Sequence, residues 1–135
     1  MIVEFLSQTE IIEECYEFML AYAAQGLPGN EGSQKDAQIR DFLERAVNAA
    51  DGLSKTYASA VRQAELNPAE KYRAFLTVLD RDAQDSIAAI ELVLAQPSIS
   101  SQLVDNLNAS IHLRALLTDL FLIGEILRKH ANKSC

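Results

Sequence analysis

The apolar residues of this chain recur at helical spacing along most of its length, and this pattern constrains the fold more than any other feature. Its clearest form lies in residues 36–66, where apolar positions alternate in steps of four and three residues, which places them on one side of an α-helix. No segment shows the alternation of a β-strand beyond a few residues, so the sequence predicts an all-α protein. The seam positions are Ile39, Leu43, Ala46, Ala50, Leu53, Tyr57, Ala60 and Ala64.

Three short stretches interrupt the helical pattern and divide the chain into four segments. They are the glycine-rich residues 26–34, the pair Asn67 and Pro68, and the residues around Pro97. Four helical segments with short connections favour an antiparallel up-down-up-down four-helix bundle. Because 135 residues is within the usual size of one domain, we expect residues 1–135 to form a single helical-bundle domain.

Local signals predict the two ends of the first helix and a bend in the second. Ser7 and Glu10 have the spacing of a capping box, so the first helix is predicted to start near Ser7 and to end near Gly26. The second predicted helix covers residues 36–66 and contains Gly52. Glycine costs a helix about 1 kcal/mol relative to alanine, so we expect a local bend or a close contact there.

The third predicted helix opens with Asn67 as its N-cap and Pro68 at its first helical position. Seven positions, apolar except for Ser86, again follow steps of four and three residues, which indicates a second core-facing seam. These positions are Tyr72, Leu76, Leu79, Ala83, Ser86, Ile90 and Val93.

The last predicted helix, from residues 98–101 to about His130, carries more apolar residues than one bundle face covers. Residues 116–127 read LLTDLFLIGEIL, with Asp119 and Glu125 as their charged members. Burial of a leucine contributes about 1.5 to 3 kcal/mol, so surplus apolar positions indicate a second buried contact. We predict a homodimer through this helix, with candidate interface residues Leu117, Phe121 and Leu122 and a second copy of the chain, or another protein, as partner.

Charge and hydropathy exclude several other partners. The net charge of -7 disfavours nucleic acid, since affinity for phosphates depends on Lys and Arg. The longest strongly apolar run is about a dozen residues, short of the roughly twenty that cross a bilayer, so no membrane partner is predicted. The N-terminus lacks the basic region and cleavage site of a secretory signal, and a bridge between Cys15 and Cys135 is not expected. We expect a cytoplasmic protein.

The polar side chains offer few candidates for chemistry. A carboxylate-bridged di-metal site in a helical bundle uses Glu-x-x-His pairs, and neither His112 nor His130 has a glutamate three residues before it. We therefore predict no metal and no cofactor, with a ligand- or metal-binding bundle as the alternative. Asp119, inside an apolar run, needs either solvent or a partner, and Glu125 is the second acid of that run.

His112 on a small acidic helical bundle resembles the arrangement in histidine phosphotransfer domains. That family has a basic residue three positions after the histidine and then a glycine, where this chain has Ala115 and Leu116. A surface histidine with a hydrogen bond is the simpler interpretation. The chain has no Gly-x-Ser-x-Gly elbow, and residues 26–34 lack the Lys-Ser/Thr ending of a phosphate-binding loop. The sequence therefore predicts a non-enzymatic interaction or regulatory protein.

Overall fold

The computed structural model describes the backbone of residues 2–133 and the side chains of residues 2–131. Within this part of the chain there are six α-helices and no β-strand, so the all-α prediction is confirmed. The helices are α1 Ile2–Ala24, α2 Gln34–Asp51, α3 Leu53–Gln63, α4 Ala69–Leu94, α5 Ser101–Asn108 and α6 Ile111–Lys133. Four continuous helices are not found, because the second and the fourth predicted helices are each divided in two, and the four-helix-bundle topology is therefore not confirmed.

Gly52 divides the second predicted helix into α2 and α3. Its N–H donates to the carbonyl of Ala50, and its own carbonyl accepts from the backbone N–H and the hydroxyl of Thr56 at 3.1 and 2.9 Å. A Cβ at position 52 would lie 2.8 Å from Nε2 of Gln8 on α1. The end of the Gln8 side chain occupies the space that a side chain at position 52 would fill, so the bend and a close contact occur together.

Ala109 and Ser110 divide the last predicted helix into α5 and α6. The hydroxyl of Ser110 accepts from the N–H of His112 at 3.2 Å, which caps the start of α6. From α4, the hydroxyl of Ser86 donates to the carbonyl of His112 at 2.9 Å. The bond from Ser86 fixes the first turn of α6 against α4, and Ala109 lies exposed at the break.

Helix α1 begins at Ile2, well before the predicted start at Ser7. Ser7 and Glu10 are exposed positions inside the helix, so the predicted capping box is wrong. The reason is Phe5, which is fully buried and packs its ring 5.9 Å from the ring of Tyr57 on α3. Burial of an aromatic side chain contributes about 1.5 to 3 kcal/mol, which favours helix over the residues that carry it.

The two ends of α4 differ in how they are capped. Pro68 occupies the N-cap position without a side-chain bond, and the amide of Asn67 donates instead to a backbone carbonyl two residues earlier, so Asn67 is not the cap. At the far end Arg40 of α2 donates to the carbonyls of Leu94 and Gln96 at 2.8 and 2.6 Å. A guanidinium at a helix C-terminus satisfies carbonyls that the helix leaves open.

The helices contact one another in a ring. Helix α1 packs against α2, α3, α5 and α6, and α4 packs against the same four, while α1 and α4 have no contact within the described helices. The divided segments α2–α3 and α5–α6 therefore each lie between α1 and α4. The core fills the centre, and it contains every seam position predicted for residues 36–66 except Ala64, which is exposed.

Candidate functional site

Helices α4 and α6 run antiparallel, and the three polar candidates His112, Asp119 and Glu125 all lie on α6. At one end of their contact, Oδ2 of Asp85 lies 3.9 Å from Nδ1 of His112. At the other end, Phe75 lines the same groove as Leu122 and Ile126. Residue numbers thus rise along α6 as they fall along α4, which fixes the register of the pair.

Asp119 lies between these two ends, 7% exposed, and pairs with Asp82 of α4. Burial is the main cause that raises the pKa of Asp119 to about 8, and the hydrogen bond to Asp82 and its negative charge act in the same direction. Oδ2 of Asp119 has no hydrogen-bond partner within the described residues. Burial and the neighbouring Asp82 thus favour the protonated form of the Asp119 carboxyl, and Asp82 is the partner that an acid in this apolar run needs.

The other two polar candidates lie apart from Asp119. His112 is half-exposed and pairs only loosely with Asp85 at 3.9 Å, as expected for a surface histidine. Glu125 is exposed on the outer face of α6, where its carboxylate lies 3.7 Å from Nζ of Lys129. The structure therefore does not assemble the three candidates into one site, because seven residues of helix, about 10 Å, separate His112 from Asp119.

Residues 2–131 contain no cluster of three or more His, Cys, Asp or Glu side chains that could hold a metal ion. The thiol of Cys15 is buried, and burial raises its pKa to about 12 despite the opposing charge of Arg45. A thiol with so high a pKa is a poor nucleophile and a poor ligand at neutral pH. Cys135, the other cysteine considered for a bridge, lies outside the described residues.

The exposed apolar side chains of α6 adjoin a groove on the outer surface between α4 and α6. We call this the α4–α6 groove; it has a volume of about 310 Å³. Lys71 is the charged member of its described lining, and the remaining lining is apolar or aromatic. Its walls are formed mainly by Tyr72, Phe75, Leu122 and Ile126.

The three predicted interface residues occupy three different environments. Leu117 is 5% exposed and belongs to the core, so it cannot contribute to a surface contact, and its inclusion in the candidate interface is corrected. Leu122 is 54% exposed at the edge of the α4–α6 groove. Phe121 is also exposed, but successive helical residues point about 100° apart, so it lies on another flank of α6.

A second concave surface, which the sequence did not predict, lies between α3 and the first half of α4. This α3–α4 cleft has a volume of about 590 Å³ and is closed at one end by the connection between the two helices. The hydroxyl of Tyr57 donates to the carbonyl of Tyr72 at 2.9 Å and ties the two walls together. Burial, aided by Tyr72, raises the pKa of Tyr57 to about 12, so this donor keeps its proton.

Comparisons of the chain with protein-family models, with curated proteins and with solved structures found no match. No helix within residues 2–133 combines the length and the apolarity that crossing a membrane requires. We therefore infer a function from the geometry of the chain alone.

Proposed function

We propose that this chain is a non-enzymatic interaction protein that forms a homodimer through the α4–α6 groove and the exposed leucine beside it. The observation that carries the proposal is the position of Leu122, half-exposed at the edge of a groove whose described lining is almost wholly apolar. An exposed apolar surface of this kind is typical of a protein contact. Val78, three residues after Phe75 and therefore on the same face of α4, is also exposed and extends this surface.

A second copy of the chain is the partner that this surface suits. A two-fold dimer uses the same patch on both subunits, so the patch must be complementary to itself, as a projection beside a recess is. Here Leu122 supplies the projection and the space beside Phe75 and Ile126 supplies the recess. The polar face of α6, with Thr118 and the Glu125–Lys129 pair, would remain at the rim of such a contact.

The proposed dimer is tested by sedimentation velocity on three proteins over a range of concentrations. Leu122→Lys introduces a charge into the contact and should raise the dissociation constant at least about 100-fold. Leu20→Lys is the matched control, because Leu20 is 47% exposed on α1, away from the groove. We expect dimeric wild type, dimeric Leu20→Lys and monomeric Leu122→Lys, with circular dichroism unchanged in all three.

Two results would contradict the proposal. Wild type that sediments as a monomer at every concentration would show that the groove is not a dimer contact. Equal dissociation of the Leu20 and Leu122 variants would show that added positive charge, and not the position of the leucine, separates the subunits. A third variant, Phe121→Lys, locates the contact on α6, since it should weaken the dimer far less than Leu122→Lys.

A further inference from the structure

The α3–α4 cleft has the size and rigidity of a small-molecule site. Its volume of about 590 Å³ falls within the range of about 300 to 1,000 Å³ found for ligand pockets. The floor is preformed, since Tyr57 and Leu66 are almost fully buried and the Tyr57 hydroxyl is held by the carbonyl of Tyr72. The N–H of Leu66 also donates to the carbonyl of Val61 at 3.2 Å, which fixes the closed end.

The floor of the cleft offers an apolar, partly aromatic surface. Val61, Tyr72 and Leu76 line the cleft and are half-buried. Aromatic and aliphatic side chains of this kind bind the flat or branched body of a ligand through apolar contact. A ligand body of this chemistry would cover side chains that the fold itself leaves half-exposed.

Two arginines line the same cleft, one from each wall. Arg62 on α3 and Arg73 on α4 are exposed, and neither forms an ion pair within the described residues; Arg62 makes only a long bond of 3.4 Å to the hydroxyl of Ser59. Glu65 is the one acid in the described lining, so the lining carries a net positive charge in a chain whose total charge is -7. A guanidinium binds a carboxylate through two parallel hydrogen bonds.

We propose that the α3–α4 cleft binds a small amphipathic carboxylate, with the apolar body against Tyr72 and Leu76 and the carboxylate between Arg62 and Arg73. The site lies within one chain, so it does not depend on the proposed dimer. The arginines select a negative charge, and the volume of about 590 Å³ with its apolar lining suits a ring or a short branched chain.

Titration followed by amide NMR shifts tests this site with two probes of nearly equal shape. Naphthalene-2-carboxylate should cause saturable shifts at the amides of Val61, Leu66 and Tyr72. Naphthalene-2-carboxamide, which has the same body without the charge, should bind at least about 10-fold more weakly. Equal binding of the two probes, no saturable shift at millimolar concentration, or shifts confined to the α4–α6 groove would overturn the proposal.

Two double variants assign the charge selectivity to the arginines. Arg62→Gln with Arg73→Gln should reduce carboxylate binding to the level of the carboxamide, with an otherwise native amide spectrum. Arg81→Gln with Arg114→Gln removes the same charge from exposed positions outside the cleft and should change the affinity less than about twofold. Equal losses in both double variants would overturn the proposed role of Arg62 and Arg73. Unchanged binding of the carboxylate probe to Leu122→Lys would show that this site does not require the proposed dimer.

Discussion

The two flanks of α4 differ in chemistry although a single helix forms a wall of each. The flank toward α6 forms a groove whose described lining has one charged residue, Lys71. Farther along the contact between α4 and α6, the buried Asp119 pairs with the half-buried Asp82. The flank toward α3 forms a cleft that is about twice as large and carries Arg62 and Arg73. Tyr57 and Tyr72 line both. An apolar groove suits another protein surface, whereas a cleft lined by two cationic side chains suits a small anion.

On the α6 flank, we expect the largest effect on stability from substituting a buried leucine, and a much smaller one from substituting an exposed leucine. Leu117→Ala should lower the free energy of unfolding by about 2 to 5 kcal/mol, because Leu117 is buried in the core. Leu122→Ala should lower it by less than about 1 kcal/mol when both are measured by urea denaturation at concentrations below dimer formation. Similar losses in the two variants would place Leu122 in the core and remove the projection from the proposed contact.

The next effect concerns the acid pair beside the groove. The pKa of Asp119 rises from an ordinary value of 3.8 to about 8 in the folded protein, so the folded state holds this proton more tightly than the unfolded chain. The stability that the protonated carboxyl contributes is complete below about pH 4 and is lost as the pH rises through 8. Asp119→Asn stays neutral and should exceed wild type by about 1 to 3 kcal/mol at pH 9, with little difference at pH 4.

Thermal and urea unfolding at the two pH values measure this difference. The matched control is Asp85→Asn, which changes a half-exposed carboxyl beside His112 on the same seam. We expect no comparable gain at pH 9 in that variant. If Asp119→Asn were destabilised equally at pH 4 and pH 9, the carboxyl of Asp119 would be making a required bond instead of bearing the cost of burial.

The smallest effect concerns the hydroxyl that ties the walls of the α3–α4 cleft. Tyr57→Phe keeps the ring but removes the donor to the carbonyl of Tyr72, and it should cost about 1 kcal/mol. Tyr16→Phe is the control, since the Tyr16 hydroxyl has no hydrogen bond within the described residues and its loss should cost almost nothing. Denaturation midpoints compare the two, and equal midpoints would show that the cleft is not held by this bond.

The sequence predicted the helical fold and most of the core because both follow from short-range periodicity. It predicted a bend or a close contact at Gly52 but not the division into two helices, and it did not predict the break at Ala109 and Ser110. The apolar pattern continues through both breaks, and each has a contact with another helix: Gln8 of α1 lies against Gly52, and Ser86 of α4 bonds to His112 at the start of α6. The early start of α1 likewise depends on Phe5 packing against Tyr57. The up-down-up-down order stays a prediction.

The candidate sites were predictable only in part, for the same reason. Asp119 stood out because its neighbours in sequence are apolar, but its partner Asp82 is set by the register of α4 against α6. The apolar pattern predicts that Leu122 is surplus to the core-facing side of its helix, and Leu122 is exposed. The same prediction for Leu117 is wrong, because α6 buries Leu117 in addition to the residues of its seam. Nothing in the local pattern marked the α3–α4 cleft, which joins Tyr57 and Tyr72 across a turn.

The most direct test of the central proposal is an isotope-filtered NOE experiment on a mixture of labelled and unlabelled protein. It detects only protons that lie within about 5 Å of each other in different copies, the range within which interface side chains are packed. The proposed dimer predicts intermolecular NOEs from the methyl groups of Leu122 to the ring of Phe75 and the methyl groups of Ile126. A dimer whose intermolecular NOEs come from Leu20 or Leu92 instead, or a mixture that shows none, would contradict it.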